Sequence, residues 1–200
     1  ILDGGAGSDT LLGGAGDDTL DGGTGSDAVH GGSGSDLVHI TAGGYHSSSG
    51  YAYTTFFDAS GAQLSFEQTF ADIGAVLENG QIDMWYGGSS VSLFEIEAVN
   101  FDGRGASQYA GWHLTDIWFM NGTRYIGSEH LTAERFVANW SDQTTAIRWN
   151  LTNSALTQLA NGVTVGNLDL LHIALGTGND SVTGGGHGDH IDGGGGNDIL

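Results

Sequence analysis

Apolar residues recur with a period of nine near both ends of the chain, and glycine fills three or four of the eight positions between them. Residues 4–39 hold four abutting copies, GGAGSDTLL, GGAGDDTLD, GGTGSDAVH and GGSGSDLVH. The rhythm returns over residues 175–200 as LGTGNDSVT, GGGHGDHID and GGGGNDIL. The eighth position is always aliphatic: Leu11, Leu20, Val29, Val38, Val182, Ile191 and Leu200. Because one short copy cannot bury this side chain alone, the pattern predicts short strands stacked around a narrow core.

The pattern between the two blocks predicts larger elements. The predicted elements are a helix over residues 65–77, strands over 82–86 and 92–101, a hairpin over 117–126 and a short helix over 153–160. A capping box of Ser65 and Gln68 begins the first helix, and Asn121-Gly122 is the turn of the hairpin. The chain therefore divides into an N-terminal block (residues 1–39), an insert (40–174) and a C-terminal block (175–200). The predicted class is all-β, with one or two short helices in the insert.

A weaker repeat lies inside the insert. FEIEAVNF, which starts at Phe94 and is followed by DGRG, aligns with LDLLHIAL, which starts at Leu168 and is followed by GTGND. Any two strands that end in glycine share some of this likeness. A duplication would make the insert a set of enlarged or decayed rungs of the same solenoid rather than a separate fold.

The sixth position of every copy is aspartate: Asp9, Asp18, Asp27, Asp36, Asp180, Asp189 and Asp198. Glycine permits positive φ, so carbonyl oxygens of a turn can converge beside this carboxylate. Six to eight hard oxygen ligands in flexible geometry suit calcium better than magnesium. The chain has no cysteine, which excludes thiolate zinc sites. A flexible glycine-rich linker is the alternative, but the fixed phase favours a calcium site.

These residues resemble the hemolysin-type calcium-binding repeat of RTX (repeat-in-toxin) proteins. The resemblance implies a right-handed parallel β-roll in which each copy makes half a turn, and in which calcium lies between copies n and n+2. The implied carboxylate pairs are Asp9 with Asp27, Asp18 with Asp36, and Asp180 with Asp198. Carbonyl ligands are implied at the second and fourth positions: Gly5, Gly7, Gly14, Gly16, Gly23, Gly25, Gly32, Gly34, Gly176, Gly178, Gly194 and Gly196. The copy around Asp189 departs from the pattern, since His187 replaces its fourth-position glycine.

The negative charge of the two blocks predicts that their folding depends on a cation. The formal net charge is −20, and the two blocks carry eleven carboxylates and no basic residue. Two carboxylates about 5 Å apart repel by roughly 3 kcal/mol at an effective dielectric near 20. We therefore expect the blocks to be disordered without a cation and folded with calcium. The same charge argues against nucleic acid or an anionic membrane as a partner, and no apolar run is long enough to span a membrane.

The resemblance also implies type I secretion from a Gram-negative bacterium, with folding in external calcium. We expect a noncatalytic, adhesin-like or matrix-forming segment at the cell surface or outside the cell. The 200 residues open and close in mid-repeat, so we expect them to be a segment of a longer chain. Its expected partners are calcium, surface or matrix glycans, and neighbouring copies in a filament or array. One alternative is an accessory module of an exoenzyme (protease, lipase or polysaccharide-modifying).

Another alternative is a calcium-assisted carbohydrate-binding domain in the insert. Its candidate patch is Asp83, Trp85, Tyr86, Asp116 and Trp118, although these rings can equally fill a core. Glu95 and Glu97 share a strand face, which favours a solvated edge or extra cation ligands over a glycosidase pair. His30 and His39, at the ninth position of adjacent copies, are expected to stack as outward-facing spacers.

Overall fold

The computed structural model describes residues 1–41, 52–86, 89–102, 116–127, 134–152 and 155–200, with backbone alone at residues 52, 53, 85, 86 and 89. This part of the chain is mostly β, with nineteen strands and two short helices. The all-β class predicted from the sequence agrees with this content. Among the described residues, no helix is long and apolar enough to cross a membrane.

The N-terminal block consists of short strands separated by glycine-rich turns. They are β1 (Leu2–Asp3), β2 (Ala6–Gly7), β3 (Thr10–Ala15), β4 (Thr19–Asp21), β5 (Thr24–Ser33) and β6 (Leu37–Thr41). Pairing within the block is parallel and joins residues 18 apart, as in Leu2 with Leu20 and Thr10 with Ala28. Each strand therefore lies beside the strand two copies later. The right-handed roll itself stays a prediction.

The insert supplies most of the remaining strands and both helices. Its elements are β7 (Ala52–Phe57), α1 (Phe66–Ala71), α2 (Ile73–Asn79), β8 (Gln81–Tyr86), β9 (Ser89–Phe94), β10 (Ala98–Asp102), β11 (Asp116–Trp118), β12 (Asn121–Ile126), β13 (Arg135–Asn139), β14 (Arg148–Asn150), β15 (Thr157–Gln158), β16 (Thr164–Gly166) and β17 (Leu170–Ala174). The C-terminal block adds β18 (Ser181–Thr183) and β19 (His190–Asp192).

The sheets cross from the blocks into the insert without a break in pairing. A seven-stranded sheet runs in the order β1, β4, β6, β10, β12, β16, β15, and a six-stranded sheet runs β2, β5, β9, β8, β7 with β3 also on β5. A four-stranded sheet joins β11, β13, β17 and β19, and β14 pairs with β18. Pairing is parallel except among β7, β8 and β9 and between β15 and β16.

The eighth-position side chains line the core in most copies. Leu11, Leu20, Val29, Val38 and Val182 are buried. Ile191 is half-buried, and Leu200 is exposed. Burying each such side chain contributes about 1.5–3 kcal/mol, which explains why the position never varies in type. This core continues into the larger apolar cluster of the insert.

The helix predicted over residues 65–77 is present as two helices. The Ser65 and Gln68 capping box is confirmed, because each side chain bonds the other residue's backbone N–H. Asp72 ends α1 and caps α2 by accepting from Ala75 N at 3.1 Å. The helical segment and its start were therefore predicted correctly, while the break at Asp72 was not.

Three other predictions in the insert are wrong. The Asn121-Gly122 hairpin does not form: β11 pairs in parallel with β13, and β12 pairs in parallel with β10 and β16. Asn121 has φ 54° but begins a strand rather than a two-residue turn. Within residues 153–160, the described part contains strand β15, antiparallel to β16, instead of a helix. The strand predicted over 92–101 is interrupted at Glu95, also at positive φ. The DGRG turn after Phe101 falls mainly outside the described residues.

A buried tyrosine closes the bend before β12. Its hydroxyl accepts hydrogen bonds from Met120 N at 3.0 Å and Gly122 N at 2.9 Å, and donates to Val99 O at 2.6 Å. Tyr125 is fully buried, and this burial raises the pKa of its phenol well above the usual value.

Tyr125→Phe is expected to lower the free energy of unfolding by about 3 kcal/mol. The ring stays, but two buried N–H groups lose their acceptor, and each such loss costs about 1–3 kcal/mol. Urea denaturation in saturating calcium measures the change. A loss below about 0.5 kcal/mol would contradict the assignment, because the two amides would then have found other acceptors.

Candidate calcium-binding turns

The sixth-position aspartates form a hydrogen-bonded ladder. Asp9 N donates to Asp27 Oδ1 at 3.0 Å, and Asp18 N donates to Asp36 Oδ1 at 2.8 Å. Asp180 N donates to Asp198 Oδ1 at 2.9 Å. All three contacts span 18 residues, the offset of the strand pairing. The structure thus brings together the three carboxylate pairs that the resemblance implies.

The second carboxylate oxygen of several of these residues has no protein partner. Oδ2 of Asp9, Asp36 and Asp180 is buried without a hydrogen bond. Asp36 is 1% exposed and Asp180 is 2% exposed. An ionised carboxylate buried in this way is strongly unfavourable unless a cation compensates it. The donor set therefore fits a hard divalent cation.

Glycine carbonyls stack above one another beside the ladder. A Cβ on Gly23 would strike the Gly5 carbonyl, and one on Gly25 would strike the Gly7 carbonyl. Both residues also have positive φ. Ten of the twelve glycines predicted as carbonyl ligands share positive φ: Gly5, Gly7, Gly14, Gly16, Gly23, Gly25, Gly32, Gly34, Gly194 and Gly196. Six of them lie in close contact with a glycine carbonyl of the neighbouring turn: Gly23, Gly25, Gly32, Gly34, Gly194 and Gly196.

Gly176 and Gly178 differ, since neither has positive φ. On one side they face the insert at Gln143 and Ala146, and on the other side Gly194 and Gly196 stack on their carbonyls. Asp180 at the end of this turn accepts from Ile147 N at 2.6 Å, where a preceding nonapeptide would have an aspartate. The first C-terminal turn thus has a carboxylate partner on one side, Asp198.

The His187 copy also differs. Asp189 Oδ1 accepts from Leu171 N at 2.8 Å, and Oδ2 accepts from Gly185 N at 2.9 Å. Both oxygens have protein donors, and the residue 18 positions earlier is leucine. The structure therefore does not bring Asp189 to a second carboxylate of the predicted set.

No group of three or more His, Cys, Asp or Glu side chains converges as a metal cluster anywhere in the described ranges. Pairs of carboxylates must therefore be completed by carbonyl oxygens, a donor set typical of calcium. The family described as RTX calcium-binding nonapeptide repeat, in four copies, matches residues 3–38 and 172–200. Both blocks are RTX calcium-binding nonapeptide repeats. No curated protein and no solved structure matches the chain.

Outside the RTX repeats, the aromatic residues that the structure describes are mostly core. Trp118, Trp140 and Trp149 are buried, and the Trp118 ring packs against Phe56 and Phe66. In the candidate glycan patch, Asp116 accepts two hydrogen bonds from Arg135. Asp83 accepts from the Gln81 amide. The side chains of residues 85 and 86 fall outside the description.

The expected stack of His30 on His39 is wrong, because adjacent copies contribute to different sheets. His30 lies between Leu12 and Phe94 in the pairing and stacks on the Phe94 ring at 4.5 Å. The stacked histidines are His172 and His190, whose ring centroids are 4.4 Å apart. Burial, followed by the charges of His190 and Arg135, lowers the pKa of His172.

Proposed function

We propose that this chain is a noncatalytic, calcium-folded structural segment of a secreted or cell-surface bacterial RTX protein, with an adhesive or matrix-forming role. The observation that carries the proposal is the ladder of buried aspartates whose second oxygen lacks a protein donor. Carboxylates buried in this way destabilise the folded state unless a cation balances their charge.

The electrostatic balance supports this role. The blocks have eleven acidic side chains, and all four arginines lie in the insert. Calcium, when bound, supplies the positive charge that offsets repulsion along the ladder. The chain's own residues position the sites. Hydrogen bonds from the backbone N–H of one aspartate to Oδ1 of the next align the carboxylates, and the glycines allow neighbouring turns to stack closely.

The dependence on calcium supports the extracellular setting of the proposal. Calcium modules outside cells work at dissociation constants of about 10⁻⁴–10⁻³ M, so a segment of this kind stays unfolded where free calcium is scarce and folds where it is plentiful. Repeats of this family are typical of secreted proteins, and the negative charge keeps folded copies soluble.

Stretching a single molecule between its ends tests the rigidifying role. With calcium, we expect the blocks to resist force and then open in discrete steps. With chelator, their 65 residues should extend smoothly from the start, which adds about 230 Å of compliant contour. Identical force–extension curves in the two buffers would refute the proposal. Adding calcium back to the chelated molecule is the control, since it should restore the steps.

A further inference from the structure

The ladder of acidic residues does not stop at the last nonapeptide of the N-terminal block. In the pairing of β6 with β10, Leu37 lies opposite Ala98, so Asp36 and Glu97 stand at equivalent positions just before their strands. Ala98 N donates to Asp36 O at 3.0 Å, as Leu37 N donates to Asp18 O at 2.9 Å. In the strand pairing, Glu97 therefore has the same position relative to Asp36 as Asp36 has relative to Asp18.

Glu97 also makes the same side-chain contact as a nonapeptide aspartate. Its Oε2 accepts from Asp36 N at 2.6 Å, as Asp36 Oδ1 accepts from Asp18 N at 2.8 Å. The longer glutamate side chain compensates for a shorter turn: three residues, Glu95 to Glu97, take the place of the six in GGSGSD.

The backbone of this short turn supplies an oxygen in the place of a glycine carbonyl. In the preceding turn, the position of a Gly13 Cβ lies 2.5 Å from Gly31 O and 3.0 Å from Asp18 Oδ2. One turn later, the position of a Gly31 Cβ meets Glu95 O, with Asp36 Oδ2 at 2.6 Å. Glu95 O therefore lies where Gly31 O lies one turn before, and the backbone reaches this position with φ 53° at Glu95.

An unpartnered oxygen points into this arrangement. Asp36 is 1% exposed, its Oδ1 is occupied by Asp18 N, and its Oδ2 has no partner. The geometry points to a further calcium site, assigned by no repeat motif, formed by Asp36 Oδ2, the Glu97 carboxylate and the Glu95 carbonyl. It extends the calcium ladder into the insert, and it rests on the proposed calcium-dependent folding of the repeats.

The same local design recurs deeper in the chain. Asn167 has φ 51°, and Asp169 Oδ2 accepts from Glu134 N at 3.0 Å. The position of a Gly127 Cβ meets both Asn167 O and Glu134 Oε2, at 2.5 Å from the latter. Glu134 is 3% exposed. In both places, a positive-φ residue, a buried apolar residue and an acid lie in the turn that pairs next to a buried acid. This recurrence indicates a specific local structure.

Counting bound calcium in Glu97→Gln tests the site. Glutamine keeps an oxygen for Asp36 N and removes the charge, so we expect one fewer ion per chain by native mass spectrometry and calorimetric titration. Glu78→Gln is the matched control: its side chain is exposed on α2 and takes no part in the proposed site, so the ion count should stay at the wild-type value. A wild-type count in Glu97→Gln, or an equal loss in Glu78→Gln, would overturn the site.

A second pair of variants decides the question if Glu97→Gln does not fold. Asp36→Asn should remove two ions, one shared with Asp18 and one with Glu97, whereas Asp9→Asn should remove the single ion shared with Asp27. Equal losses in the two variants overturn the inference. Wild-type protein that binds no calcium would instead refute the proposed function, so the two failures are distinguishable.

Discussion

Removing calcium is expected to abolish the β-sheet signal of both repeat blocks. Each aspartate pair then faces repulsion of roughly 3 kcal/mol at about 5 Å, while a whole domain has about 5–15 kcal/mol of stability. Conversely, each site filled at 100 times its dissociation constant adds about 2.7 kcal/mol. Far-ultraviolet circular dichroism during a chelator titration measures the transition, and the melting temperature should rise with calcium concentration.

Magnesium provides the control for this experiment. It needs a tighter octahedron and gives up water reluctantly, so equal concentrations should restore little of the signal. A spectrum and melting temperature that do not respond to chelator would contradict a calcium-dependent core. Recovery by magnesium to the same extent would instead indicate simple charge screening, since the ladder would then need no specific coordination.

Gly25→Ala is expected to lower the free energy of unfolding by about 3 kcal/mol or more. Its φ is 132°, and the added methyl would strike the Gly7 carbonyl. Backbone strain of this kind costs about 1–3 kcal/mol, and overpacking costs about another 1–3 kcal/mol. The loss should be measured by urea denaturation in saturating calcium, where the folded state is fully populated.

Variants of two other glycines separate the cost of backbone strain from the cost of the steric clash. Gly5 has φ 82° with open space around its Cβ position, so Gly5→Ala should cost only the backbone term, about 1 kcal/mol. Gly186 has open space and no positive φ, so Gly186→Ala should stay within about 0.5 kcal/mol. If all three variants lose similar stability, close stacking of Gly25 on Gly7 is not what requires glycine there.

The repeat blocks were predictable because the nine-residue period determines which position of the repeat each residue occupies. Aspartate at the sixth position and an aliphatic residue at the eighth establish which side chains face the turn and which face the core. The spacing could not reveal which oxygens of Asp36 and Asp189 remain without donors, because the strand pairing and the conformation of each turn decide this. Oδ1 of each accepts from the backbone N–H of the residue 18 positions earlier, but Oδ2 of Asp189 accepts from Gly185 N while Oδ2 of Asp36 has no partner.

The insert was less predictable because its pairings are long-range. Asn121-Gly122 has the local chemistry of a hairpin turn, yet parallel neighbours on both sides of β12 determine its path. The alignment of FEIEAVNF with LDLLHIAL found the right two segments. In the structure, however, Glu95 corresponds to Asn167, which shifts that alignment by two residues. Backbone conformation, rather than residue type, identifies the equivalent positions.

The continuous pairing of β6 with β10 has a consequence for the protein at low calcium. When the N-terminal block unfolds, β10 loses the neighbour that satisfies one side of its backbone, and the apolar sequence AVNFD becomes a free sheet edge. Free, flat edges of this kind recruit strands from other molecules. Calcium binding is therefore also expected to prevent self-association of the chain. Calcium depletion should produce oligomers as well as unfolded monomers.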